Sequence, residues 1–139
     1  MANEMSWKEC TEEKIISRTD PDEERANQMQ QMANVRLAFW DQKIANEFST
    51  LKVEAYYDII KELIFAHLYK NGYNSSNHLC LIAYLKEKMT DFDFEIHKID
   101  ELRRVRNDIN YRGLQIPKDY LQRNEPEFKI IIEELKQRL

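Results

Sequence analysis

Apolar residues along most of this chain recur three and four positions apart, which is the spacing of one buried stripe on an α-helix. Asp20 and Pro21 precede the first such stripe as a cap and a first helical residue, and acidic residues follow them. We therefore predict a helix that starts at Asp20 and runs to about Glu47. Its stripe consists of Ala26, Met29, Ala33, Leu37, Trp40 and Ile44.

A second stripe fills residues 49–71 and is apolar around most of the helix. Ser49 or Thr50 can cap its start, and Gly72 stands where a left-handed residue closes a helix. Because so little of its surface is polar, we predict that this helix is central to the fold.

Two further helices follow. Asparagines and serines in residues 74–77 can cap a shorter helix over residues 78–89. Asp91 or Asp93 begins a longer one, for which Gly113 is the expected C-terminal cap.

Two prolines divide the rest of the chain. Pro117 and Pro126 predict a short turn followed by a helix from about Glu127 to Gln137. Short connections make consecutive helices antiparallel, so we predict an all-α, up-and-down bundle of four to five helices. Residues 20–139 form this single domain, and residues 1–19 are predicted to be an arm or a short helix in which Trp7 is a possible anchor.

Composition restricts the function classes. The 139 residues suffice for one domain, and the net charge of −4 argues against a nucleic-acid-binding surface over the whole protein, so any basic patch must be local. No segment approaches the ~20 apolar residues of a membrane span, and the first residues do not resemble a secretion signal. We expect a cytoplasmic protein without a membrane partner, in which Cys10 and Cys80 are reduced thiols.

Arginines and asparagines crowd residues 102–113, at the end of the fourth helix. Residues three and four apart share a helix face, so Arg103, Arg106 or Asn107, and Asn110 form a polar strip beside the apolar one. Arg106 lies at the border of the core, where its permanent charge needs a carboxylate, a carbonyl or a phosphate. From the residues alone, a structural clamp is favoured. The candidate carboxylate partners of Arg106 are Asp58, Glu62, Asp100 and Asp108.

The order of four segments resembles the HEPN superfamily. They are a helix containing residues 56–63, a turn at 70–73, the segment 76–79 and the arginine-rich residues 102–113. The last of these looks like the Arg-Asn-Asp-Ile-Asn-Tyr ending of small stand-alone archaeal HEPN proteins, and the resemblance covers residues 22–135. It implies a helical bundle like the substrate-binding subunits of nucleotidyltransferases, the same fold class that the apolar pattern predicts.

The resemblance also implies a homodimer in which the arginine-bearing helices meet in a cleft at the two-fold axis. HEPN ribonucleases cut RNA without a metal through an Arg-x4-6-His motif. Here Arg106 matches the arginine, but Tyr111 stands at the histidine position, and the ordinary pKa of tyrosine, about 10, suits a proton-transfer base poorly. We therefore expect a protein that binds RNA or a nucleotide, or a nucleotidyltransferase partner as in toxin and antitoxin pairs, with weak or no catalysis.

Two alternatives remain open: a metal-independent endoribonuclease of the toxin type, and a purely structural interaction module. His78 is the one credible substitute for the missing base, although a capping role at the start of its helix is preferred. We expect no metal and no cofactor, because the three histidines lie on different elements and no glycine-rich phosphate loop exists. The predicted catalytic residues are Arg106 and Tyr111, and the predicted RNA or ligand contacts are Arg103, Asn107, Asn110, Arg112 and His78.

Overall fold

The computed structural model describes residues 4–139 and is dominated by helices. The predicted all-α bundle is confirmed, with one small addition, a two-stranded sheet. A single 3-10 turn, Asn46–Phe48, precedes the third helix. In chain order the elements are α1 (Trp7–Glu12), β1 (Ile16–Arg18), α2 (Glu23–Trp40), α3 (Ser49–Lys70), β2 (Tyr73–Ser75), α4 (Leu79–Lys88), α5 (Asp93–Arg112) and α6 (Lys118–Gln137).

Helix α3 is the centre of the bundle, as its sequence predicts. It packs against α2, α5 and α6, and most of its side chains are buried whichever way they face. Completely enclosed side chains include Val53, Tyr56, Ile60 and Leu63. Polar residues on α3 therefore lie between helices, where their hydrogen bonds have to be found inside the protein.

The first long helix is shorter than predicted at both ends. Asp22, not Asp20, caps α2 by accepting the N–H of Arg25 at 3.0 Å. At the other end the helix stops at Trp40 and does not reach Glu47. The Gln42 side chain donates to the carbonyl of Phe39 at 2.6 Å, which satisfies one of the terminal carbonyls and closes the helix there.

The predicted caps of α3 were wrong, whereas the predicted glycine ends were right. Ser49 is buried and begins the helix without a side-chain cap, and Thr50 instead accepts the N–H of Ile116 at 2.8 Å. Thr50 thus fastens the connection between α5 and α6 to the bundle. Gly72 and Gly113 both adopt positive φ, at 80° and 66°, just after α3 and α5.

The last helix is continuous from Lys118 to Gln137 with Pro126 inside it, so the predicted break at Pro126 was wrong. A proline in a helix interior costs about 3 kcal/mol because it removes a hydrogen bond and crowds the preceding turn. Burial of one large apolar side chain contributes about 1.5–3 kcal/mol, so several of them outweigh the proline. The side chains that α6 buries are Leu121, Phe128, Ile131, Ile132 and Leu135.

The N-terminal segment is folded onto the bundle. β1 pairs antiparallel with β2, with Ile16 opposite Ser75, and these three-residue strands are too short for their sequence to show an alternating pattern. Trp7 is the anchor that its sequence suggested, because its ring lies 5.5 Å from the Tyr73 ring and 6.1 Å from the Tyr84 ring, measured between centroids.

Cys10 and Cys80 form a disulfide, so the prediction of reduced thiols was wrong. The two residues are 70 positions apart in sequence, and only the packing of α1 on α4 brings their Cα atoms to 5.8 Å. The expectation of a cytoplasmic protein loses the support of reduced cysteines. Within residues 4–139, no helix combines the length and the apolar character needed to cross a membrane.

Candidate functional site

The first two arginines of the arginine-rich segment are held by one carboxylate on their own helix. Arg103 Nε donates to Asp100 Oδ1 at 2.9 Å, and Arg104 Nη2 lies 2.9 Å from the other oxygen, Oδ2. Asp100 and Arg103 are both largely buried. Arg103, a predicted RNA contact, is therefore engaged inside the protein.

Arg106 faces α3 and is only loosely held. Its Nη2 lies 3.7 Å from Asp58 Oδ1, longer than the 2.7–2.9 Å of a charge-assisted hydrogen bond. Its buried Nε has no hydrogen-bond partner within residues 4–139, and neither has Asp58 Oδ1. Lys61 Nζ approaches the same Asp58 oxygen at 3.6 Å. One carboxylate thus faces two cations and forms a close hydrogen bond with neither.

The other expected partners of Arg106 are committed elsewhere. Glu62 accepts from Arg36 Nε at 2.6 Å, and Asp100 holds Arg103 and Arg104. Asp108 lies 3.8 Å from Arg112 Nε, one turn along α5. Of the four candidate carboxylates, only Asp58 contacts Arg106.

A tyrosine and a histidine complete the surroundings of Arg106. The guanidinium carbon of Arg106 lies 5.5 Å from the centroid of the Tyr57 ring, and the Tyr57 hydroxyl is 3.3 Å from His78 Nδ1. We call Tyr57, Asp58, Lys61, His78 and Arg106 the Arg106 cluster. Two helices, α3 and α5, and the residue before α4 supply its members.

His78 stands at the N-cap position of α4 but does not cap the helix with its side chain, contrary to the preferred prediction. Its side chain makes no cap hydrogen bond, and Asn77 Oδ1 accepts the N–H of Cys80 at 2.9 Å in its place. The His78 ring instead contacts Tyr57, whose ring Arg106 also approaches.

The environment of the cluster fixes the protonation of its two ring residues. Burial raises the pKa of Tyr57 to about 12, even though the charges of Arg103 and Arg106 oppose this shift. Burial lowers the pKa of His78, and the positive charges of Lys61 and Arg106 lower it further. At neutral pH the cluster therefore presents a protonated phenol and a neutral imidazole beside a fixed cation.

The remaining predicted site residues do not converge on Arg106. Tyr111 is 85% exposed, and five residues along a helix place it about 140° around the axis from Arg106. Asn110 and Arg112 are exposed on the last turn, and Asn107 is half-buried. Within one copy of the chain, Tyr111 is not brought to Arg106.

Sequence reasoning missed two members of the cluster, Tyr57 and Lys61. Neither residue is among the predicted catalytic or binding residues. The available signal was the helical spacing of Tyr57, Asp58 and Lys61, which puts their polar groups on one turn of α3.

Comparisons with protein families, with characterised proteins and with solved structures find no match to this chain. In the part of the chain that the structure describes, no group of three or more His, Cys, Asp or Glu side chains is placed to hold a metal ion. The feature of the structure that indicates a function is therefore the Arg106 cluster, with its loosely held guanidinium.

Proposed function

We propose that this chain binds RNA through the Arg106 cluster, as a HEPN-like homodimer with weak or no catalytic activity. The observation that carries this proposal is the half-buried guanidinium of Arg106, whose Nε lacks a partner and whose Nη2 lies 3.7 Å from the nearest carboxylate. An unmade hydrogen bond of a buried polar group costs about 1–3 kcal/mol, and more for a charged group. A phosphate oxygen against the exposed part of the guanidinium would give Arg106 the close charge-assisted hydrogen bond that Asp58 does not.

The charge of the cluster also favours a phosphate. Arg106 and Lys61 share the single carboxylate of Asp58, and His78 is neutral at pH 7, so one positive charge is left without a counter-charge. Arginine binds phosphate through two parallel N–H donors, a geometry that the loosely held guanidinium can adopt. This local positive charge is compatible with an acidic chain, because phosphate recognition depends on the patch and not on the net charge.

The homodimer is part of the proposal because the resemblance to HEPN proteins implies that the arginine-bearing helices of two copies meet. Tyr111 and Leu114, which are 85% and 42% exposed, stand at the end of α5 as apolar surface that a second copy would cover. A nucleotidyltransferase is the other partner that the resemblance implies for this surface. Sedimentation velocity of the purified chain distinguishes a dimer from a monomer.

A second candidate function, metal-independent RNA cleavage, is favoured by one observation. His78 brings a neutral imidazole into the cluster, although it comes from the start of α4 and not from the α5 position where HEPN ribonucleases carry their histidine. A neutral imidazole can accept a proton from a ribose hydroxyl while Arg106 stabilises the charge that develops on the phosphate. Tyr57, with a pKa of about 12, is a poor base at neutral pH.

The test measures binding of a fluorescently labelled single-stranded RNA by anisotropy in EDTA, over a series of salt concentrations. Arg106→Gln should weaken binding about tenfold and reduce the slope of log K against log salt by about 0.7, the contribution of one phosphate contact. Arg123→Gln, which removes an exposed arginine on α6 far along the chain from the cluster, is the matched control and should bind like the wild type.

The same samples, resolved on a denaturing gel, separate the two functions. Cleavage that is lost in both Arg106→Gln and His78→Asn establishes the ribonuclease and contradicts a purely binding role. Binding that is insensitive to salt, or equal in Arg106→Gln and wild type, overturns the RNA proposal.

A further inference from the structure

A second cationic site lies apart from the Arg106 cluster and shares no residue with it. It is a cavity of about 450 Å³ between the two-stranded sheet, the end of α4 and the end of α6. This volume falls within the range of pockets that bind small organic molecules, roughly 300–1,000 Å³.

The lining of this cavity is positively charged. Arg18 from β1, Lys88 from α4 and Arg138 after α6 all contribute to it, and among residues 4–139 no carboxylate lines it. The nearest counter-charge to Arg138 is Glu134, whose Oε2 is 3.8 Å from Arg138 Nε and does not line the cavity. Three cations thus surround one space in a protein whose net charge is −4.

Tyr73 marks the point where two of these cations converge. Its hydroxyl accepts a hydrogen bond from Arg18 Nη1 at 2.7 Å, and Lys88 Nζ lies 5.4 Å from the centroid of its ring. Burial alone would raise the pKa of Tyr73, but hydrogen bonds and charge from Lys88 and Arg18 outweigh it and lower the pKa. The Tyr73 side chain thus lies against two cationic groups at one wall of the cavity.

The wall that carries Arg18 is held in place by three separate features. Arg18 pairs with Tyr73 in the sheet register, and the next residue, Thr19, donates its N–H to the carbonyl of Gly72 at 2.8 Å. A Cβ on Gly72 would lie 2.7 Å from the Thr19 oxygen, so only glycine permits this approach. The Cys10–Cys80 disulfide fixes α1, which leads into β1. The backbone that carries Arg18 is therefore preorganised, which reduces the entropy lost on binding.

We propose that this cavity binds a small phosphomonoester, with its phosphate held by Arg18, Lys88 and Arg138 and its organic part against the aromatic wall. A phosphomonoester brings a charge of about −1.5 to −2 and three strong acceptor oxygens at pH 7, which match the three cations better than the single charge of a carboxylate does. Tyr73, Tyr84 and Met89 supply the less polar wall, and the volume exceeds what a bare phosphate needs.

The test is isothermal titration of the 139-residue chain, with its disulfide formed, against AMP, inorganic phosphate, adenosine and succinate, all at one ionic strength. AMP should bind saturably and more tightly than inorganic phosphate, and adenosine and succinate should bind at least tenfold more weakly than AMP. Arg18→Gln and Lys88→Met should each weaken AMP binding about tenfold, as expected for the loss of one charge-assisted contact.

A matched control on the same helix makes this site separable from the RNA site. Lys86→Met removes a lysine that pairs instead with Glu4 at 3.0 Å, and it should bind AMP like the wild type. Arg18→Gln and Lys88→Met should lose affinity for AMP whether or not the chain binds RNA, so the failure of one proposal is distinguishable from the failure of the other. A Kd for AMP above about 1 mM, tight binding of succinate, or equal weakening by Lys86→Met overturns the proposal.

Discussion

Two neighbouring tyrosines on α3, Tyr56 and Tyr57, belong to polar networks that differ in completeness. The Tyr56 hydroxyl donates to Glu125 Oε2 at 2.5 Å, and Lys52 Nζ lies 2.8 Å from the same oxygen. Lys52 also donates to the carbonyl of Gln42 at 2.9 Å. The Tyr57 network has longer contacts, 3.3 Å from the Tyr57 hydroxyl to His78 and 3.7 Å between Arg106 and Asp58. Within residues 4–139, Arg106 Nε and Asp58 Oδ1 have no hydrogen-bond partner.

The difference separates a structural network from a site. Burial and the hydrogen bond to Glu125 raise the pKa of Tyr56 well above its ordinary range. Burial would raise the pKa of Glu125, but its bonds to Lys52 and Tyr56 outweigh this and lower it. Every charge of that network has a close partner, so it has little left to offer a ligand. The Arg106 cluster keeps donors that its own protein does not use, which is the condition for binding an anion.

The largest expected effect concerns the disulfide. Cys80 follows His78 by two residues, so the disulfide anchors the chain close to the residue that contacts Tyr57. The double variant Cys10→Ala/Cys80→Ala should lose about 4 kcal/mol of unfolding free energy, since the cross-link joins residues 70 positions apart. Urea denaturation of the oxidised protein and the double variant measures this. Equal unfolding free energies would contradict a stabilising role of the disulfide.

The complete network should respond strongly to the loss of one member. Glu125→Leu leaves the Lys52 ammonium, whose side chain is 6% exposed, without its carboxylate, and should cost about 3 kcal/mol of unfolding free energy. Glu133→Leu on the same helix removes a 61% exposed carboxylate and should cost less than about 1 kcal/mol. If Glu125→Leu costs no more than its control in urea denaturation, the network does not hold the fold.

A smaller effect is expected from His78. Its pKa is lowered in the folded state, so below about pH 6.5 the unfolded chain takes up the proton first. The free energy of unfolding should therefore fall as the pH drops from 7 towards 5, and His78→Gln should show a shallower fall. Part of the slope should remain, because burial also lowers the pKa of His67. If the free energy of unfolding depends on pH identically in wild type and His78→Gln, the pKa of His78 is not lowered by folding.

The helical layout was accessible from the sequence because it depends on local patterns. The buried stripes, the glycine ends at Gly72 and Gly113 and the central position of α3 all follow from spacing over a few turns. Pro126 misled because burial along α6 outweighs one lost hydrogen bond. The Cys10–Cys80 disulfide was hidden because it depends on packing between distant segments.

The candidate site also has a part that local sequence patterns predict and a part that they do not. Arg106 was expected at the border of the core from helical spacing and charge, with Asp58 as one of four candidate carboxylate partners. The position of Tyr57 between Arg106 and His78 depends on how three elements meet, and no local pattern encodes it.

The central claim is that Arg106 is available to a phosphate and is not committed to Asp58. A double-mutant cycle of Asp58→Asn and Arg106→Gln, read by urea denaturation, measures the coupling between the two side chains directly. We predict a coupling below about 1 kcal/mol, the value of a loose, partly exposed pair. A coupling of about 3 kcal/mol or more would identify a committed ion pair, and Arg106 would then be a structural clamp.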